Sequence, residues 1–151
     1  MKGTLVVVLG LAICSLGCGH HSAEEDGHEG HGSHEESASV TLALELNDGE
    51  KWPVDDHTRA VAQRLAKLVT ASEHLQTVDD ARLLSTRLDE ELGVLVKGCT
   101  MTGSAHDQLH VFLVALFPKV AELKEGDDVA KLQTVRDDID GLLVAYAAHF
   151  D

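Results

Sequence analysis

Between residues 55 and 150 the apolar positions recur every three to four residues in four successive blocks, which predicts four amphipathic helices. The first, over 55–74, places Val61, Leu65, Leu68 and Val69 on one face, with Leu75 just beyond. The second, over 78–99, starts behind a capping Thr77, has Asp79 and Asp80 in its first turn, and carries Leu84, Leu88, Leu92 and Leu95 on a stripe that runs on to Cys99. The third, over 104–123, carries Leu109, Phe112, Leu113, Leu116 and Val120; the fourth, over 127–150, carries Leu132, Val135, Ile139, Leu142, Tyr146 and Phe150. Each is roughly 30 Å long. Short connections favour antiparallel neighbours, so the expected fold is all-α: an up-down-up-down four-helix bundle. Pro118 falls inside the third helix, where it leaves the Val114 carbonyl without its helical partner and bends the rod.

The pattern changes ahead of the helices. Val40, Leu42, Leu44 and Leu46 alternate with smaller or polar residues, the period of a half-buried extended segment, and Asn47-Asp48-Gly49 supplies a turn. A short extended segment or hairpin is therefore expected before the bundle, with Trp52 covering an end of the domain. Residues 19–39 contain no aliphatic side chain larger than alanine and cannot build a core, which predicts a disordered spacer rich in histidine and glutamate. At the start, Lys2 and the apolar run of residues 4–17 are too short for a comfortable membrane span and read as an export signal.

The signal ends in Ser15-Leu16-Gly17-Cys18, which resembles a bacterial lipobox, although Ser15 stands where leucine is usual. Cys14 follows the bulky Ile13, so Cys18 is the expected lipidated residue; a plain secretory cut near Gly17 is the alternative. The expected organisation is a signal over 1–17, a tether over 18–39 and a bundle over 40–151. The bundle is expected in the bacterial cell envelope, lipid-anchored to the membrane and facing the periplasm or the cell exterior.

Charge and cysteine content then narrow the function. The chain has 12 basic and 26 acidic residues, a formal charge of −14 that becomes −15 when Lys2 leaves with the signal. A chain this acidic repels nucleic acid and attracts cations. With Cys14 removed and Cys18 acylated, Cys99 is the single free thiol in an oxidising compartment, where a thiol survives when it is buried, capped or held by a metal.

Cys99 belongs to the segment KGCTMTGSAHDQLHVF, which also holds Met101, His106 and His110. An up-down-up-down topology brings the end of the second helix and the start of the third to one end of the bundle, so all four residues gather there. His57 and His149 reach the same end and are possible additional ligands, whereas His74 goes to the other. His106 and His110 are neighbours on one helix face. The hydrophobic stripe running through Leu113 and Phe117 suggests that this face points inward. Thiolate, thioether and two imidazoles form a soft to borderline set that suits copper, with zinc as the alternative. In the tether, His20, His21, His28, His31 and His34 lie among carboxylates and are expected to capture ions weakly. Each residue also has a plainer reading: Cys99 as a small buried apolar group, Met101 as a loop plug, the histidines as surface residues.

LNDGEKW followed about fifty residues later by CTMTGSAHDQLH resembles a group of small bacterial exported or lipid-anchored helical proteins that carry a Cys-Thr-Met-x-Gly-x-Ala-His-x-Gln-Leu-His segment. The resemblance spans roughly residues 44 to 151 and implies no settled activity. The expected function is extracytoplasmic copper binding, in buffering, delivery or one-electron transfer, with a metal-donor or redox protein as partner. A bundle holding b-type haem through Met and His, or a helical interaction module, are the competing classes. There is no Cys-x-x-Cys-His for covalent haem, no phosphate loop and no nucleophile with an evident base, so an enzyme has little support.

Overall fold

The computed structural model describes residues 42–151. The signal over 1–17, the lipidation of Cys18 and the tether with His20, His21, His28, His31 and His34 lie outside the described residues. Four helices follow one another: α1 (Asp56–Ala71), α2 (Val78–Gly98), α3 (Gly103–Glu125) and α4 (Val129–His149). Each packs on its sequence neighbours, and α1 packs on α4 to close the ring. This is the four-helix bundle that the spacing predicts. The predicted stripes form its core, with Val61, Leu65, Val69, Leu88, Leu92, Leu116, Val120 and Ile139 all at 2 % exposure or less. No helix among the described residues is long and apolar enough to cross a membrane.

Polar side chains set where the helices begin. The Thr58 amide donates to the Asp55 carboxylate at 2.6 Å ahead of α1, and the Asp80 amide donates to the Thr77 hydroxyl at 3.1 Å while the Asp80 carboxylate accepts from the Thr77 amide at 2.8 Å. The second pair is a reciprocal capping box. Ahead of α4, Asp128 accepts from the amides of Ala130 and Lys131. No side chain caps α3, which starts instead at Gly103 with φ +69°, a left-handed conformation that glycine adopts without a Cβ clash. Pro118 lies on the solvent side of α3, and so does Val114, 72 % exposed, so water can hydrate the carbonyl that proline leaves unpaired.

The segment before α1 is extended but forms no strand among the described residues. Asn47 and Glu50 exchange two backbone bonds of 2.9 Å around Asp48 (φ +52°) and Gly49 (φ +90°), a tight turn of the kind that left-handed residues favour. Trp52 ties this segment to the end of the bundle. Its amide donates to the His149 carbonyl at 2.7 Å, its carbonyl accepts from the Asp151 amide at 3.2 Å, and its indole N–H donates to the Glu45 carbonyl. The Glu45 amide in turn donates to the Gln108 side chain of α3 at 2.9 Å. Trp52 thus covers one end of the core, the end to which Cys99 and His106 belong.

Candidate metal centre

That end is organised by Asp55. Besides capping α1, its carboxylate accepts from the amide and the hydroxyl of Thr100 at 2.7 and 2.8 Å, fastening the α2–α3 turn to the start of α1. Burial raises the Asp55 pKa, but the hydrogen bonds from Thr58 and Thr100 outweigh it and hold the carboxyl well below the usual range. The turn so fixed contains Cys99 and Met101. Cys99 ends α2, its amide donating to the Leu95 carbonyl at 2.9 Å. Its thiol is free and half-buried, and both Cys99 and Met101 pack against the core. The Tyr146 phenol of α4 is buried at the same end. Burial pushes that phenol up to about 12, opposed by Arg59 and reinforced by Asp55, Asp151 and Cys99.

The histidines follow this packed loop directly, His106 in the first turn of α3 and His110 one turn further on. The Nε2 atoms of His106 and His110 stand 3.2 Å apart, and the rings meet edge to face with centroids separated by 4.4 Å. As a hydrogen bond this contact requires one ring to carry its proton on Nε2 and the other on Nδ1. The same separation suits shared coordination. Two imidazole nitrogens each about 2.0–2.1 Å from one ion, at angles between square and tetrahedral, stand about 2.9–3.4 Å apart. The 3.2 Å separation lies within that range.

The inward aim expected of this pair is corrected by the structure. At 3.6 residues per turn, His106 lies about 60° and His110 about 100° around α3 from the buried Leu109. His106 is half-buried, His110 is exposed, and Phe117, expected on the inward face, is 42 % exposed. Steps of four residues drift around the helix, so a row that begins at the core edge leaves it after two steps. Among the described residues, no three His, Cys, Asp or Glu side chains gather closely enough to hold a metal ion. The bundle end thus presents a pair of facing imidazoles, while Cys99, packed against the core together with Met101, does not join them.

The other two histidines at this end have different neighbours. A ring nitrogen of His57, Nε2, lies 2.9 Å from the Val94 carbonyl, and the ring packs so close to Gly98 that a Cβ there would meet Nε2 at 2.3 Å. Gly98 therefore lets α1 approach the last turn of α2. His149 Nδ1 lies 2.8 Å from the Ala145 carbonyl one turn back on α4. Neither joins the His106–His110 pair. His74 is exposed near the α1–α2 connection at the far end. Asp55 and Gly98, which fasten and space this end, are not singled out by the sequence pattern, because each acts on a residue far along the chain. Against known proteins, the chain matches no family model, no curated protein and no solved structure.

Proposed function

We propose that this protein binds copper in the bacterial cell envelope, held to the membrane by lipid on Cys18, and buffers or delivers the ion or passes single electrons through it. The observation that supports this reading is the 3.2 Å approach of His106 Nε2 and His110 Nε2 on an exposed shoulder of the bundle, a separation suited to two nitrogens on one ion. Two imidazole nitrogens favour copper and zinc over hard cations, and the thiol and thioether of Cys99 and Met101, packed against the core at the same bundle end, are further soft donors that do not join the pair. These soft donors lie in the turn leading into α3, within the same short stretch of chain. Copper, when bound, would supply a one-electron couple, while the residues of the chain supply its ligands and the acidic surface that attracts it. Zinc is the second candidate for the same nitrogens.

Absorption spectra of the purified protein titrated with Cu(II), Cu(I) and haem test the reading. Tight copper binding is expected, lost in His106→Ala and in His110→Ala and retained in Cys99→Ser and Met101→Leu, whose side chains do not converge on the pair. Equal copper content in the wild type and both histidine variants, measured on folded protein, would sink the proposal, and a Soret band on haem addition would replace copper with haem b. Anchoring is tested separately: Cys18→Ala should release the protein from membranes washed in high salt, and continued co-fractionation would refute lipid attachment.

A further inference from the structure

An imidazole pair gives an ion two ligands, and copper or zinc takes four in its common protein sites. Among the described residues no third His, Cys, Asp or Glu joins His106 and His110 to complete the set. The surface on which the pair stands is also unusual for an acidic protein. One turn beyond His110 comes Val114, 72 % exposed, and nearly a turn later Phe117, 42 % exposed. On α2 the register is set by the Ser85 hydroxyl, which donates to the Val120 carbonyl at 3.0 Å. Eleven residues up α2 and eleven back along α3 bring Val96 level with Leu109, and Val96 is 56 % exposed. The histidine pair is thus bordered by large apolar side chains that the bundle leaves in water.

We infer that one copper ion joins two copies of this chain, each contributing His106 and His110, with Val96, Val114 and Phe117 closing over the ion from both sides. The inference rests on the copper reading above and adds the source of the missing ligands. A two-fold axis through the ion makes the two contributions identical, as an isologous interface requires. The exposed position of His110 lets a second copy approach, which an ion sunk in the bundle interior would not allow. The charge of −14 on each chain opposes pairing without metal, so association should depend on the cation. Burial of the apolar border adds the non-directional part of the contact.

The test measures mass in solution by light scattering or sedimentation while Cu(II) chloride is added to the full chain carrying Cys18→Ser, which prevents lipid attachment. The mass should double, with dimer reaching its maximum at about half an ion per chain, and return to the monomer value on chelation. Electron paramagnetic resonance of the half-loaded sample should show four coordinating nitrogens, in two symmetry-related pairs. Phe117→Lys keeps both imidazoles and is surface-exposed, so it should still bind copper yet remain monomeric. His110→Ala should abolish both tight binding and dimerisation. A monomer holding one tight ion would overturn the inference and leave the copper reading standing. A copper-dependent dimer that persists in His110→Ala would overturn it too, since other groups would then bridge the chains. Absence of tight copper binding would remove both this inference and the function on which it rests.

Discussion

The end of the bundle where α1 meets α2 and the end where α2 meets α3 both use polar side chains to hold backbone in place, and the second also carries a polar pair that holds none. At the end where α1 meets α2, they satisfy backbone groups. The buried Arg136 guanidinium of α4 donates to the Val69 carbonyl in the last turn of α1 at 2.7 Å, and the Gln133 amide accepts from the Leu75 amide at 2.9 Å and donates to the Glu73 carbonyl at 3.0 Å. A cation at the end of a helix also suits the helix dipole. At the opposite end Asp55 plays the same structural part for α1 and the α2–α3 turn, and His57 and His149 rest on backbone carbonyls. His106 and His110 differ from all of these. Their recorded polar contact is with each other, and it holds no helix end, turn or neighbouring helix in place. The difference separates groups that the fold requires from groups that it merely displays, and displayed nitrogens are the ones available to a ligand.

Breaking the structural end should cost the most. Arg136→Ala leaves the Val69 carbonyl without its buried donor and empties the space of a large side chain, so a loss of about 3 kcal/mol is expected in urea unfolding. Copper affinity of the folded fraction should not change; a large fall in affinity would show that the two ends are coupled.

Asp55→Ala should cost less, about 2 kcal/mol, through a lost helix cap and the released Thr100. The same carboxylate predicts a pH dependence. Its folded-state pKa lies below the unfolded value, so its stabilisation is complete above about pH 4 and is lost as pH falls further toward the folded value. The drop in urea midpoint between pH 7 and pH 3 should therefore be smaller in Asp55→Ala than in the wild type. An identical drop would mean that Asp55 is not what fastens the turn.

The smallest stability effect belongs to the displayed pair. His106→Ala and His110→Ala should each change metal-free stability by no more than about 0.5 kcal/mol, because neither side chain supports backbone and His110 is exposed. A loss of 2 kcal/mol or more in urea unfolding would place them with the structural groups and erase the contrast between the two ends.

Much of this architecture is legible in the residues themselves. Repeats of three and four fix four helices and the face each buries, Thr77 with Asp80 marks the start of α2, and Asn47-Asp48-Gly49 marks a turn, because each depends on backbone geometry within a few residues. The nearness of His106 to His110 is equally local. Residues whose roles reach across the chain were not legible: nothing near Arg136 announces Val69, nothing near Gly98 announces His57, and Asp55 gives no sign that it will accept from Thr100.

Helical periodicity dictates the bundle, its core stripes and the nearness of two imidazoles four residues apart, and all three are legible in the residues. The margin of a buried face is not: α3 buries Leu109, Leu116 and Val120, and the packing around that arc leaves His110 and Phe117 in solvent while Cys99 and Met101 stay packed against the core. How far cover extends around a helix is set by how all its neighbours pack, and no short stretch of chain contains that information.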